Sequence, residues 1–214
     1  MSEGTRDRGA LSGLLAGIAF VGGVAAGVAI ADSPYPRPGA KPAAIRRYFR
    51  GSARAARISV AGQLVSAASL ARFATSVAAL ARDSRPLRAA TAAAGTAATA
   101  SLAGSALTSL ALTRPERRSR ASLIALHRRV FLLGGPVHTA AFGALMGCLA
   151  LAGRRTDRLP RPLTTAGLAS GTAGALSPLG LVIEPAVWLI PAGRFSGLVV
   201  TGIAGARMAR RQVS

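Results

Sequence analysis

Few side chains in this sequence can do chemistry, and they are scattered. The two histidines, His127 and His138, stand eleven residues apart, close to three helical turns. The imidazoles therefore share a predicted helix face roughly 16 Å apart, too far for one metal ion. A bis-histidine haem needs ligands from two helices at matching depth, and no third histidine exists within the chain. Zinc meets the same shortage, because Cys148 follows His138 by ten residues on the same predicted helix. No metal and no cofactor is expected. A lone cysteine also excludes an intrachain disulfide and leaves the redox compartment unspecified.

The most distinctive local sequence is Phe131-Leu132-Leu133-Gly134-Gly135-Pro136-Val137-His138. Pro136 cannot donate a backbone hydrogen bond and follows two glycines, so Gly134, Gly135 and Pro136 are read as a helix break that frees a carbonyl. His138 lies inside the same apolar stretch, where polar residues are functional candidates by default. The alternative is an imidazole that bonds a neighbouring helix, for instance through a serine or threonine. Glu184, in Leu-Val-Ile-Glu-Pro-Ala-Val-Trp, is the only carboxylate after Asp157. It is read either as a proton or cation ligand paired with Arg194 across a short turn, or as a surface acid opening a connection. Arg72 falls near the middle of another apolar stretch, with Glu184 as its candidate counter-ion. His138, Glu184 and Arg72 thus form the candidate ligand or proton site. No catalytic residue is assigned: the zinc-protease, phosphate-loop and nucleophile-elbow signatures are all missing. An intramembrane hydrolase built on His138 would need a hydroxyl nucleophile within its reach.

The elements that must position these residues follow from composition. The 214 residues carry a net charge of +20, yet half are apolar and the mean hydropathy is +0.40. Aromatic content of only 4% makes a poor water-soluble core and argues against a soluble enzyme. About twenty apolar residues cross a bilayer, and charge-free or nearly charge-free stretches fall at 9–31, 58–80, 89–112, 130–153, 163–183 and 191–206. The fold class is therefore all-α, a single polytopic transmembrane bundle of six spans. The first stretch ends in an Ala-x-Ala signal, but it is longer than a signal-peptide core and is read as a retained anchor. Between spans one and two, a proline-rich loop precedes an amphipathic helix at about 43–57. Its Ile45, Tyr48 and Phe49 share one face, and Arg46, Arg47, Arg50 and Arg54 stand ready for lipid phosphates. A solvated basic approach to the next span is the alternative.

A central arginine costs about 2.5–3.5 kcal/mol on insertion scales, which makes the span around Arg72 the weakest of the six. Six spans divide the basic residues 12 to 14 across the bilayer, with both termini on the poorer side; a five-span alternative divides them 9 to 18. The positive-inside rule does not choose an orientation for six spans.

Glycines recur at intervals of four at Gly9, Gly13 and Gly17, at Gly23 and Gly27, at Gly167 and Gly171, and at Gly193 and Gly197. Such faces let helices approach closely in lipid, either within the chain or between two copies. Taken in order, the glycine-rich first span, Ala44-Ile45-Arg46-Arg47-Tyr48-Phe49, the Gly-Gly-Pro-x-His break, Leu159-Pro160-Arg161-Pro162-Leu163 and Pro191-Ala192-Gly193-Arg194-Phe195-Ser196-Gly197-Leu198 resemble an uncharacterised actinobacterial family of small six-helix integral membrane proteins. The chain departs from that family in its basic first loop. The resemblance implies six helices with cytoplasmic termini, and no activity.

The expected function is that of a non-enzymatic, multi-pass cell-membrane protein whose basic loops contact an anionic lipid bilayer. Two alternatives have other partners: a small transporter or channel-like protein with a polar midplane site at the broken fourth helix, and an accessory subunit that docks a membrane-protein partner. Homodimerisation would use the first span. Nucleic acid is not expected, because the arginines are spread through every connection without stacking aromatics.

Overall fold

The computed structural model describes residues 9–210, which are entirely helical apart from their connections. The helices are α1 (Ser12–Ala29), α2 (Pro42–Gly51), α3 (Ala53–Leu80), α4 (Arg85–Leu112), α5 (Arg120–Leu132), α6 (His138–Arg155), α7 (Arg161–Leu176) and α8 (Leu189–Arg210). Their starts are legible. Prolines, which fit a first turn but not an interior, open α2, α4 and α7. The Ser119 hydroxyl caps α5 by accepting from the Ser122 amide at 3.2 Å.

Six helices close a ring in the order α1, α3, α4, α6, α7, α8 and back to α1, with α2 and α5 outside it. Phe73, Phe142, Leu145, Met146 and Leu149 fill its centre. Glycine sets how tightly the ring closes. A Cβ on Gly23 of α1 would lie 2.7 Å from the Gly62 Cα of α3, and one on Gly193 of α8 would lie 2.7 Å from the Gly174 Cα of α7. Both are backbone-to-backbone approaches with no flexible side chain to give way. The four-residue glycine spacings are spent in the same way: Gly13 faces α3 and α8, Gly27 faces α3, Gly167 and Gly171 face α6, and Gly197 faces α6. They pack helices of one chain.

Four helical segments are long and apolar enough to cross a membrane: Ser12–Ala29, Ala53–Leu80, Arg120–Arg155 and Glu184–Arg210. The other two ring members differ for identifiable reasons. Serine, threonine and glycine dilute the apolarity of α4, although it carries no charge between Arg88 and Arg114. Helix α7 has 16 residues, about 24 Å, and is continued by a tighter turn over Ser177–Leu181.

Several boundaries differ from expectation. The amphipathic segment is not one helix over 43–57: Ser52 leaves the helical path (φ −101°, ψ 31°) and its hydroxyl accepts from the Asp32 amide at 3.0 Å. Arg54 therefore belongs to α3. The second span begins at Ala53 rather than 58, and the fourth extends back to Arg120 through α5. The apolar face of α2 is buried in the protein, where Ile45, Tyr48 and Phe49 pack with Ala56, Leu112 and Leu123.

Candidate functional site

The break within Arg120–Arg155 falls where the two glycines and the proline place it. Between α5 and α6, residues Leu133–Val137 form a wide turn in which Gly135 leaves helical geometry (φ −98°, ψ −109°). Carbonyls there need donors from elsewhere, and neighbouring elements supply them. The Ser105 hydroxyl of α4 donates to the Val130 carbonyl at 3.0 Å, and the Ser177 hydroxyl after α7 donates to the Pro136 carbonyl at 3.3 Å. Arg194 of α8 donates to the Gly134 carbonyl. A Cβ on Gly134 would meet the Ser105 hydroxyl and turn it away from the Val130 carbonyl.

Arg194 holds three helices together. Besides Gly134 it donates to the Thr139 hydroxyl of α6 at 3.2 Å, and its guanidinium lies over the Phe20 ring of α1, 5.1 Å from the centroid. Its Nε is buried and has no hydrogen-bond partner. Among the described residues no carboxylate pairs with it. The polarised carbonyl, the hydroxyl and the ring face carry that role in a setting where desolvation strengthens each contact.

His138 lies in the same layer. It is buried, with its ring stacked on Phe142 at 5.7 Å and 8°. Its Nδ1 faces the Ala98 carbonyl of α4 at 2.9 Å, so Nδ1 carries the proton and donates. The bond to a neighbouring helix expected of this residue exists, with a backbone carbonyl in place of a serine or threonine. The nearest hydroxyl in sequence, Thr139, is taken by Arg194.

The other two members of the predicted trio lie elsewhere. Arg72 is exposed on α3, beside Phe73, whose ring packs at Gly13 near the start of α1. It stands eight residues, about 12 Å, from the helix end at Leu80. Glu184 is exposed at the start of the turn Glu184–Trp188 and does not pair with Arg194. His138, Glu184 and Arg72 do not converge, and Arg194 takes the place expected for them. Its sequence signal was visible, because it lies three residues inside the last apolar stretch rather than at its edge. Thr139 and Ser105, which complete the layer, gave no signal among so many hydroxyls.

The histidines also separate. The His127 Nε2 meets the Pro36 carbonyl at 3.2 Å, and its ring stacks on Tyr35, which packs edge-on against Tyr48 and Phe49. This cluster fastens the proline-rich loop and α2 to α5. Among the arginines expected to meet lipid, Arg47, Arg50 and Arg54 are exposed. Arg46 is half-buried and donates to the Arg118 carbonyl at 3.1 Å, so it tethers α2 to the turn after α4. Among the described residues no three His, Cys, Asp or Glu side chains gather.

No protein-family model, curated protein or solved structure matches the chain.

Proposed function

We propose that the chain is an integral membrane protein of six spans without catalytic chemistry, whose polar interior groups serve packing and whose basic end engages anionic lipid. One observation carries this reading: the polar groups around the break find partners within the protein, the carbonyls of Val130, Gly134 and Pro136 accepting from Ser105, Arg194 and Ser177, Thr139 accepting from Arg194, and His138 donating to the Ala98 carbonyl of α4. The exposed Arg47, Arg50 and Arg54 meanwhile have no carboxylate of the described residues within ion-pair distance. Six spans draw support from the closed ring, from the uncharged length of α4 and from the continuation of α7 through Ser177–Leu181. The test is thermal melting of the purified protein in nanodiscs of phosphatidylcholine with or without phosphatidylglycerol. Anionic lipid is expected to raise the melting temperature by an amount that shrinks with salt, as exposed charges are screened over about 10 Å at 0.1 M. Equal melting in both lipids would refute the reading.

A second reading, a small transporter or channel-like protein, draws on the buried Nε of Arg194, a donor left free for a passing anion. The two readings part over lysine at position 194: an anion needs the charge, whereas a clasp needs the planar guanidinium.

A further inference from the structure

At the end of the ring opposite the start of α1, a groove of about 540 Å³ lies beside α4. Leu107, Leu110 and Ala111 form its apolar wall, and Arg57, Arg114 and Arg118 line it as well. These arginines come from three places: the start of α3, the residue pair after α4, and the end of the short turn Pro115–Arg117. Two contacts steady the backbone that carries them. The Arg118 carbonyl accepts from Arg46 at 3.1 Å, and the Thr113 hydroxyl closes the end of α4 on the Leu110 carbonyl at 2.8 Å. None of the three has a carboxylate of the described residues within ion-pair distance, and Glu116 of the same turn is not among the lining residues. Three guanidinium groups on one groove repel one another unless an anion joins them.

The wall says which anion. Leu107 is 56% and Leu110 42% exposed, on a helix uncharged for the 25 residues from Ala89 to Thr113. The apolar stripe runs from the arginines toward the middle of α4, the course of an acyl chain below its phosphate. Two other grooves lack this combination. One between α3 and α4, lined by alanines, threonines and Gly95, has no charge, and one on α5 carries Arg128 and Arg129 on a single helix.

We propose that this groove binds one anionic phospholipid, its phosphate held among Arg57, Arg114 and Arg118 and an acyl chain laid along Leu107 and Leu110. The proposal rests on the lipid-binding reading above and goes further by placing one specific site. Guanidinium groups pair with phosphate oxygens through forked N–H donors, so a phosphodiester headgroup without a cationic amine fits better than a zwitterionic one.

The test is native mass spectrometry of the full chain released from detergent, titrated with phosphatidylglycerol, phosphatidylcholine or inorganic phosphate. The variants are Arg57→Gln/Arg114→Gln/Arg118→Gln and, as comparison, Arg47→Gln/Arg50→Gln/Arg54→Gln. Basic residues at a membrane surface contribute about fivefold each, so the groove variant should retain the first phosphatidylglycerol on the order of a hundredfold less. The comparison variant should keep the first phosphatidylglycerol and lose only the later, weaker ones held by the exposed arginines of α2 and α3. Arg114→Gln alone, expected to lose about fivefold, keeps the question open to answer if the triple variant does not fold. Loss only in the comparison variant would overturn the groove and leave the general lipid reading standing. Full retention in both would overturn both, and equal binding of inorganic phosphate would overturn the lipid as occupant.

Discussion

Arg194→Lys separates a guanidinium clasp from a buried positive charge. Lysine keeps the charge and much of the length but presents a point ammonium in place of a planar fork. It cannot reach the Gly134 carbonyl and the Thr139 hydroxyl while lying over the Phe20 ring, as Arg194 does. One charge-assisted hydrogen bond is worth about 1.5–3 kcal/mol and a cation over an aromatic face about 0.5–2 kcal/mol. With part of the stacking retained, the expected loss is about 2–4 kcal/mol. For a chain of this size about 2–4 °C accompanies each kcal/mol, so the melting temperature in detergent should fall by about 5–15 °C. Arg194→Met removes the cation together with the cost of burying it and leaves chiefly the Gly134 carbonyl without a donor, a loss of about 1–2 kcal/mol. Lysine should therefore be worse than methionine. The opposite order, with lysine near the unaltered chain and methionine severely impaired, would refute the clasp and show that position 194 needs charge alone.

Gly23→Ala places a methyl group 2.7 Å from the Gly62 Cα, forcing α1 from α3 at a cost of about 1–3 kcal/mol; Gly22→Ala, with nothing within 4 Å, should melt like the unaltered chain under the same conditions. Tyr35 and Tyr48 are the only tyrosines, and both hydroxyls are held above the ordinary tyrosine range, the half-exposed Tyr35 by partial desolvation against its ring neighbours and by the nearby Tyr48, the buried Tyr48 by desolvation. Unfolded tyrosine ionises near pH 10, so the docking of the loop and α2 should keep its full stability below about that pH and lose it as pH rises further. Tyrosinate absorbance followed against pH should show both groups titrating late, and a simple titration near pH 10 would contradict the packing.

Several features were legible in the sequence because they depend on local chemistry. Long uncharged stretches between arginines have one stable form in lipid, the helix, since it alone satisfies its own backbone. Two glycines before Pro136 interrupt that helix whatever surrounds them, because proline lacks the donor. The pairing of Ile45, Tyr48 and Phe49 on one face is likewise a matter of helical period. What covers such a face is not local. The same amphipathic pattern that suits a bilayer surface was satisfied by α5 and the end of α4, so α2 docked on the protein.

The candidate site divides along the same line. His138 and the break could be found by type and spacing, whereas their partners lie 40 residues away at Ala98, 60 residues from Gly134 at Arg194, and on Phe20 in the first helix. By charge alone Glu184 was either a partner for Arg194 or a surface acid. Depth and direction decided for the surface, because Glu184 sits on an exposed turn while Arg194, five residues inside α8, donates to the freed Gly134 carbonyl. By itself the sequence determined that the chain is helical, where the break falls and where the small-residue faces lie, all set by interactions within a few residues. Only the tertiary structure decided which helices those glycines join and which donors reach the open carbonyls. Those choices depend on the ring closing as a whole, with α8 returning to α1 across nearly the full length of the chain.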